Sequence, residues 1–247
     1  MSDIHLIVSR QVKRWNMEND VYEKARQEDQ SIMARPSDNK PVVTVSRQRG
    51  CRGHELGKLL AHELQYGLFD RKIVDYIAKH IGIRSELVES LDEKNRSKLE
   101  LWIKNLVSEK VFDHDEYIKS LGEAIKALAI QGGVVVVGRG SNFLLANTPA
   151  FHLRVVAPEE FRIRTLKEIE GMSEKQATDE IKRVDNERAE YVKRYFKQPI
   201  ENPAAYDMVI NMATTTLDGA VKVILTALRT RKWPLEDIGG DKRAKTK

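Results

Sequence analysis

A β-branched run, a glycine-containing loop and an amphipathic helix follow one another in the segment PVVTVSRQRGCRGHELGKLLAHE, residues 41–63. The three valines favour a buried strand, Gly50 and Gly53 interrupt it, and leucines then recur at helical spacing. A strand that passes through a glycine loop into a helix is typical of an α/β protein with a parallel sheet. We therefore expect an α/β fold organised around this segment.

The junction between this strand and its helix is suited to binding an anion. Unpaired N–H groups converge at a helix start, and the helix dipole adds about half a positive charge there. A regular phosphate-binding loop reads G-x-x-x-x-G-K-[ST], whereas here Gly53 occupies the lysine position and His54 and Glu55 follow it. The loop thus predicts either a phosphate site with a substituted lysine or a turn whose glycines satisfy turn geometry alone.

A second glycine-bounded segment is VVVVGRGSNFLLA, residues 134–146. Four consecutive valines predict a strand that is buried on both faces, as in the centre of a parallel sheet. The sequence Gly138-Arg139-Gly140 then lies at the carboxyl end of that strand, where open α/β sheets bind ligands. A guanidinium there can bind two phosphate oxygens, so we predict that Arg139 binds a phosphate. The alternative is a structural arginine paired with a nearby carboxylate.

A long helix rich in arginine begins at the capping box Ser173-Glu174-Lys175-Gln176. Arginines that close over a transferring phosphoryl group stabilise the charge that spreads over its oxygens. The alternative is a charged helix face with local ion pairs, each contributing only ~0.3–0.5 kcal/mol. The charged residues in question are Arg183, Asp185, Arg188 and Arg194.

These segments together resemble the cytidylate kinase-like family, a divergent branch of the P-loop nucleoside monophosphate kinases. VTVSRQRGCRGHELGKLLA is similar to the family's opening pattern, ISREYGSGGREIAEKLA, and the later segments follow in the same order over residues 41–230. Those segments are LFDRKIV, VVVVGRGSNFLLA, FHLRVVAPEEFRIR, RVDNERAEYVKRYF and YDMVIN. The resemblance implies a three-layer P-loop NTPase fold with a five-stranded parallel sheet, a helical acceptor-binding insert at about 72–130 and a helical lid at about 173–200.

The resemblance also implies a function, a nucleoside monophosphate kinase-like phosphotransferase. Such an enzyme moves the γ-phosphoryl group of ATP, with Mg²⁺, to CMP, dCMP or another small acceptor. The missing lysine leaves a second hypothesis open, a nucleotide-binding regulatory protein without turnover. Small nucleotides are the expected partners. Nucleic acid is not expected, because no aromatic platform or recognisable nucleic-acid module accompanies the basic residues, and homo-oligomerisation stays open.

The candidate site residues fall into three groups, and no side chain is assigned as a direct metal ligand. We predict that the catalytic cations are Arg52, Arg183 and Arg188, with Arg52 or Arg47 replacing part of the lysine's role. The residues expected around the bound nucleotide are Arg47, Gly50, Cys51, Arg52, Gly53, His54 and Glu55. The residues expected on the acceptor side are Asp70, Arg139, Asp185 and Arg194.

Several of these residues have a second interpretation. Asp70 is either an acceptor-binding group or the N-cap of the helix that follows it. Cys51, at a helix start, has either a thiol with a lowered pKa or the role of a small filler in the turn. Glu55 stands where a magnesium-binding hydroxyl is usual, so it either binds the ion through water or repels the nucleotide. Arg52 replaces a glycine of the family pattern, and its bulk can obstruct the phosphates as easily as bind them.

Length and composition suit one α/β domain with extensions. The chain has 247 residues and a formal net charge of +5, which fits a polyanionic small ligand as well as nucleic acid. A single cysteine, no signal-peptide pattern and no apolar run of ~20 residues indicate a cytoplasmic protein without a membrane span. We expect a helical extension and linker at 1–40, the kinase-like domain at 41–231 and a basic disordered tail at 232–247.

Overall fold

The structure, a computed structural model, describes residues 3–28, 40–91, 93–108 and 115–231. The strands are β1 (Val42–Arg47), β2 (Gly67–Phe69), β3 (Val134–Val137), β4 (Ala150–Val156) and β5 (Met208–Asn211). The α-helices are α1 (Asp3–Glu28), α2 (Gly53–Leu64), α3 (Arg71–Lys79), α4 (Ile81–Glu89), α5 (Glu93–Ser108), α6 (Glu116–Gln131), α7 (Ser141–Leu144), α8 (Glu159–Glu170), α9 (Glu174–Phe196) and α10 (Leu217–Thr230). A 3₁₀ turn at Pro203–Ala205 precedes the last strand.

The five strands form one parallel sheet in the order β2-β3-β1-β4-β5. The first strand lies at the centre, where Val45 is in register with Val137 on one side and with Leu153 on the other. Because parallel strands all point the same way, the residues that follow β1 and β3 emerge side by side. The predicted α/β fold with a five-stranded parallel sheet is confirmed.

Helices cover both faces of the sheet, which gives the molecule three layers. Alternate residues of a strand point to opposite faces, and in β3 Val134 and Val136 belong to one buried cluster while Val135 and Val137 belong to another. Residues of α1, α3, α4 and α6 complete the first cluster, and residues of α2 and α10 complete the second. Burial on both faces explains why β3 is four valines in succession.

The N-terminal helix packs onto this core. Val8, Val12 and Trp15 of α1 are buried, and the Trp15 ring stacks on Phe69 of β2 with a centroid distance of 6.3 Å. The sequence left open whether the extension docks on the domain, and the described part of it does. Most of the predicted linker and the predicted tail at 232–247 lie outside the described residues.

Two groups of helices flank the carboxyl edge of the sheet. Helices α3 to α6 occupy the chain between β2 and β3, and the pair α8 and α9 lies between β4 and β5. The predicted capping box is confirmed, because Gln176 N donates to Ser173 Oγ at 3.3 Å and Ser173 N donates to Gln176 Oε1 at 2.9 Å. None of the described helices is long and apolar enough to cross a lipid bilayer.

Candidate functional site

A cavity of about 180 Å³ lies at the carboxyl edge of the sheet, between the ends of β1 and β3 and one side of α9. Ser46 and Arg47 of β1 and the segment 138–142 after β3 form its base, and α9 forms a wall. The in-register pairing of the two strands places these segments next to each other. Its arginines are Arg47, Arg71, Arg139 and Arg188.

Arg47 is the most unusual of these cations. Its side chain pairs with no carboxylate among the described residues, and burial, together with the nearby Arg188, lowers its pKa to about 9. Two glycines make room for it, because a Cβ atom on Gly53 or Gly138 would collide with the Arg47 side chain. Gly138 also has a φ of +90°, a conformation that favours glycine. Arg47 is thus a half-buried guanidinium without an ion-pair partner among the described residues, which leaves its donors available to an anion.

Arg188 is a second cation of the cavity, and it lies next to Arg47. Its Nη1 donates to the backbone carbonyl of Arg47 at 3.0 Å, and it lies 3.5 Å from Asp185 Oδ1. Burial lowers the pKa of Arg188. Among the described residues that line the cavity, Glu187 is the one carboxylate, and Arg183 is bonded to it at 2.7 Å. Positive charge therefore predominates around the cavity.

Arg139 lines the cavity but is held by a carboxylate. Its Nε donates to Asp75 Oδ1 at 2.5 Å and its Nη2 bonds to Asp75 Oδ2, while the Tyr117 hydroxyl donates to the same carboxylate at 2.8 Å. Arg139 has a φ of +58°. The structural pairing that the sequence left as an alternative is thus present, and phosphate binding by Arg139 stays a prediction. Its Nη1 makes no hydrogen bond with a described residue, so it keeps a donor available.

The loop after β1 is tied to helices α8 and α9 through Arg49. The amide of Arg49 donates to Asp185 Oδ1 at 2.8 Å, and its guanidinium bonds to both oxygens of Glu170 at 2.8 and 2.6 Å and to Glu180 at 3.2 Å. Arg162 reinforces the junction by bonding to Asp185 Oδ2 at 2.5 Å. Asp185, predicted to bind the acceptor, fastens the loop to the helix pair in this structure.

Arg52 and Glu55 form a closed pair at the start of α2. The Arg52 guanidinium donates to Glu55 Oε2 at 3.0 and 2.6 Å, and neither residue lines the cavity. Arg52 has a φ of +60° and makes no side-chain hydrogen bond as the N-cap. Of the two candidate replacements for the missing lysine, Arg47 therefore faces the cavity, and a catalytic role for Arg52 stays a prediction. His54 is half-buried, and burial and Lys58 lower its pKa.

Cys51 fills the turn beneath the loop. Its side chain is fully buried, its Sγ donates to the carbonyls of Gln48 at 3.1 Å and Val155 at 3.3 Å, and burial raises its pKa. The alternative of a thiol with a lowered pKa is wrong, because desolvation outweighs the helix start. Gly50 is equally constrained, since it has a φ of +80° and a Cβ there would lie 2.8 Å from the Arg162 carbonyl oxygen.

Of the predicted residues, Arg47, Arg139 and Arg188 line the cavity, and the other ten do not. Three of those ten, at α3 and α9, interact within their own segments. Asp70 is the N-cap of α3 and accepts hydrogen bonds from the amides of Lys72 at 2.9 Å and Ile73 at 3.1 Å. Arg183 is 57% exposed and bonds to Glu180 and Glu187 on its own helix. Arg194 is exposed and stands 5.2 Å from the Tyr195 ring centroid. Their local interactions match the alternatives that the sequence left open, and their functional roles stay predictions.

Two residues near the cavity were not predicted. Arg154 of β4 is buried, donates to Ser46 Oγ at 2.8 Å and pairs with no carboxylate among the described residues. Its position within the otherwise apolar strand sequence FHLRVVA could have identified this arginine as a candidate site residue. Tyr191 lines the cavity, and its hydroxyl oxygen is buried within the protein without a hydrogen-bond partner among the described residues. No pattern distinguished it from the other aromatic residues of α9.

The residues present suit phosphates better than a directly bound metal. Among the described residues, no group of three His, Cys, Asp or Glu side chains is placed to hold a metal ion. Glu55 is occupied by Arg52, and no hydroxyl follows Gly53. Magnesium in phosphate sites is bound largely by phosphate oxygens and water, so a metal here would depend on the ligand.

Comparisons with known proteins identify the family and the fold of this chain. The model of the Cytidylate kinase-like family matches residues 42–214. An uncharacterized protein from Eubacterium ventriosum ATCC 27560 has the same fold, with a TM-score of 0.55, 20% identity and coverage of 78% of this chain and 100% of that one. Shikimate kinase from Bacteroides thetaiotaomicron is more distant, with a TM-score of 0.43, 13% identity and coverage of 76% and 98%. No curated protein sequence matches the chain.

Proposed function

Because the chain belongs to the cytidylate kinase-like family, we propose that it is a phosphotransferase that binds nucleotide phosphates in the arginine-lined cavity. The reaction is transfer of the γ-phosphoryl group of ATP to CMP, dCMP or another small acceptor. The observation that carries the proposal is the half-buried Arg47, which lies beside Arg188 and has no ion-pair partner among the described residues. Two like charges held together in a cavity repel each other, and a phosphate between them removes that repulsion.

The chain contributes alignment and charge compensation. Phosphoryl transfer needs little covalent chemistry from the protein, because catalysis depends on positioning and on cations aimed at the phosphoryl oxygens. Gly53 and Gly138 fix the position of Arg47, and Asp185 lies beside Arg188. Val184 and Val192 of α9 line the same cavity and contribute apolar surface to it. Cations in such a site act more strongly than in bulk water.

ATP with Mg²⁺ is the phosphoryl donor that family membership suggests. Within the part of the chain that the structure describes, no three His, Cys, Asp or Glu side chains form a metal site, so we assign charge compensation at the acceptor to the arginines of the cavity. Arg47 takes the part of the lysine that is absent from the loop.

A second function is favoured by a specific observation, namely the composition of the loop itself. Gly53 stands at the lysine position, and the Arg52–Glu55 pair closes on itself at the start of α2. A protein with this loop can bind a nucleotide without transferring phosphate, and would then act as a nucleotide-binding regulator.

One assay separates these functions. Purified protein is mixed with ATP, Mg²⁺ and a panel of nucleoside monophosphates that includes CMP and dCMP, and ADP release is measured together with ATP binding. Turnover with a particular acceptor supports the phosphotransferase. Saturable ATP binding without turnover supports the regulator. Absence of both contradicts the two functions together.

The role of the cavity is tested by a pair of variants on the same helix. Arg188→Met removes a cation from the cavity, and we expect at least a 10²-fold loss of turnover because an arginine on the transferring group is worth 10³–10⁵-fold in related reactions. Lys193→Met removes an exposed cation from α9 and should leave turnover within about twofold. Equal turnover in the two variants would exclude the cavity as the reaction site.

A further inference from the structure

Two neutral polar side chains, those of Ser141 and Asn142, line the cavity directly after Gly140. Each residue is almost fully enclosed, with 2% and 4% of its surface exposed. The arginines of the cavity are hydrogen-bond donors only, whereas a hydroxyl and a carboxamide also offer acceptor oxygens. This part of the wall therefore differs in chemistry from the part formed by Arg47 and Arg188.

The carboxamide of Asn142 has a defined orientation. Its Nδ2 faces the carbonyl oxygen of Ala205 at 3.5 Å, in the 3₁₀ turn before β5. Only the amino group of a carboxamide can donate to a carbonyl, which assigns the amino and oxygen ends. The Oδ1 atom makes no hydrogen bond with a described residue, and unlike the Tyr191 oxygen it keeps accessible surface. Because Asn142 lines the cavity, this oxygen is an acceptor available to a ligand there.

The segment that carries Asn142 is fixed by the fold. The amides of Phe143 and Leu144 donate to the Gly140 carbonyl at 2.9 and 3.0 Å, and the Phe143 ring stacks on Phe196 of α9 with a centroid distance of 5.4 Å. A Cβ atom on Gly140 would collide with the Phe196 ring, so this close packing requires glycine. The position of Asn142 is therefore set in the ligand-free protein.

A free carboxamide oxygen requires a hydrogen-bond donor on the ligand. A phosphoryl group offers negatively charged acceptor oxygens, and placing them against Oδ1 would bring acceptor against acceptor. The donors of a nucleoside monophosphate belong instead to its base, as an exocyclic amine or ring N–H, or to its sugar, as hydroxyl groups. The Asn142 oxygen therefore suits the part of an acceptor substrate that is not phosphate.

We propose that Asn142 is a specificity residue whose Oδ1 accepts a hydrogen bond from a donor on the non-phosphate part of the acceptor substrate. The donor is either the exocyclic amine of the base or a hydroxyl group of the sugar. This inference rests on the proposed function, because it divides the same cavity into a phosphate-binding part and an acceptor-recognition part. Loss of the carboxamide should weaken the binding of nucleotides and leave the binding of pyrophosphate, which has no base or sugar, unchanged.

The test uses Asn142→Leu, which keeps the size of the side chain and removes its polar atoms, with Asn147→Leu as the matched control. Asn147 is exposed, follows in the same segment and does not line the cavity. Affinities for CMP, UMP, ribose 5-phosphate and pyrophosphate are measured by titration calorimetry. For Asn142→Leu we expect at least about a tenfold weaker affinity for CMP and an unchanged affinity for pyrophosphate, and for Asn147→Leu four unchanged affinities. Asn142→Ala, which adds no apolar bulk, is measured in parallel and should give the same pattern as Asn142→Leu.

The three monophosphates identify the donor. If it is the exocyclic amine, the wild type binds CMP at least about tenfold more tightly than UMP, because uracil presents an oxygen where cytosine has its amine, and Asn142→Leu removes this preference. If it is a sugar hydroxyl, Asn142→Leu weakens the binding of CMP, UMP and ribose 5-phosphate by the same factor. Either pattern supports the inference.

The remaining outcomes overturn it. Unchanged affinity of Asn142→Leu for all three monophosphates, with normal binding by the wild type, removes the role of Asn142 and leaves the proposed function intact. An equal loss of CMP and pyrophosphate affinity in both Asn142 variants shows that the substitution disturbs the whole cavity, which contradicts a specific role. If the wild type binds none of the four probes, the proposed function fails together with this inference.

Discussion

At the scale of single residues, the cavity contains a cation, Arg47, that has no ion-pair partner among the described residues of the ligand-free protein. Arg47 is surrounded by Gly53, Gly138 and Arg188, and none of these neighbours compensates its charge. Natural proteins tolerate such destabilising groups mainly where function requires them. Arg52, five residues on, has its charge compensated by Glu55. The two arginines therefore differ in their partners: Arg52 pairs with a carboxylate of the next helix turn, and Arg47 pairs with none among the described residues.

This contrast predicts how Arg47→Met changes stability. Removing a half-buried charge that has no ion-pair partner should raise the free energy of unfolding of the ligand-free protein by about 0.5–2 kcal/mol while abolishing pyrophosphate binding. Denaturant unfolding and titration calorimetry measure the two effects. Lys193→Met, which removes an exposed cation of α9, serves as the control, and it should leave pyrophosphate affinity nearly unchanged.

The stability gain of Arg47→Met should also depend on pH. Arg47 has a folded-state pKa lowered to about 9 from an ordinary value of 12.5, so the folded protein releases this proton at lower pH than the unfolded chain does. The wild type therefore bears the full penalty below pH 9, and the difference between variant and wild type should shrink as pH rises above 9. A gain that is independent of pH between 7 and 11 would contradict this origin.

At the scale of elements, the loop after β1 and the pair α8 and α9 behave as one unit joined by Arg49. Four hydrogen bonds from this residue reach Glu170, Glu180 and Asp185. Asp185 therefore connects the nucleotide loop to the helix that carries Arg188 and Tyr191. We infer that the orientation of α9 over the cavity depends on these ion pairs as well as on apolar packing.

That inference predicts the effect of Glu170→Gln, which weakens the two-pronged bond to Arg49. A partly exposed ion pair of this kind contributes about 0.5–1 kcal/mol, so amide hydrogen exchange in residues 171–182 should accelerate about two- to fivefold. Glu168→Gln, an exposed change on the same helix, should leave exchange unaltered. If both variants exchange alike, the Arg49 contacts do not hold the helix pair.

The elements were largely predictable from the sequence, and the side-chain pairings were not. The valine runs of β1 and β3 and the capping box at Ser173 are local patterns, and the structure contains all three. The partner of Arg139 could not be predicted, because Asp75 lies on a different element and only the fold brings the two together. Arg183 could either pair with Glu187 on its own helix or contact a ligand, and sequence spacing alone does not distinguish these two roles.

At the scale of the whole molecule, the sheet and its two helical layers converge on the carboxyl edge. The centre of the sheet contributes Arg47, the neighbouring strand contributes Arg139 and a helix from a distant part of the chain contributes Arg188. The N-terminal helix packs on the first core, where Trp15 stacks on Phe69. Because the cations come from separate elements, the site exists only in the folded chain, and each cation is fixed by a different part of the fold.

The most direct measurement is a crystal structure of the protein grown with CMP and a non-hydrolysable ATP analogue. We predict a phosphoryl group within hydrogen-bonding distance of both Arg47 and Arg188. Phosphates bound only at other surfaces, with Arg47 still unpaired in an empty cavity, would contradict the account.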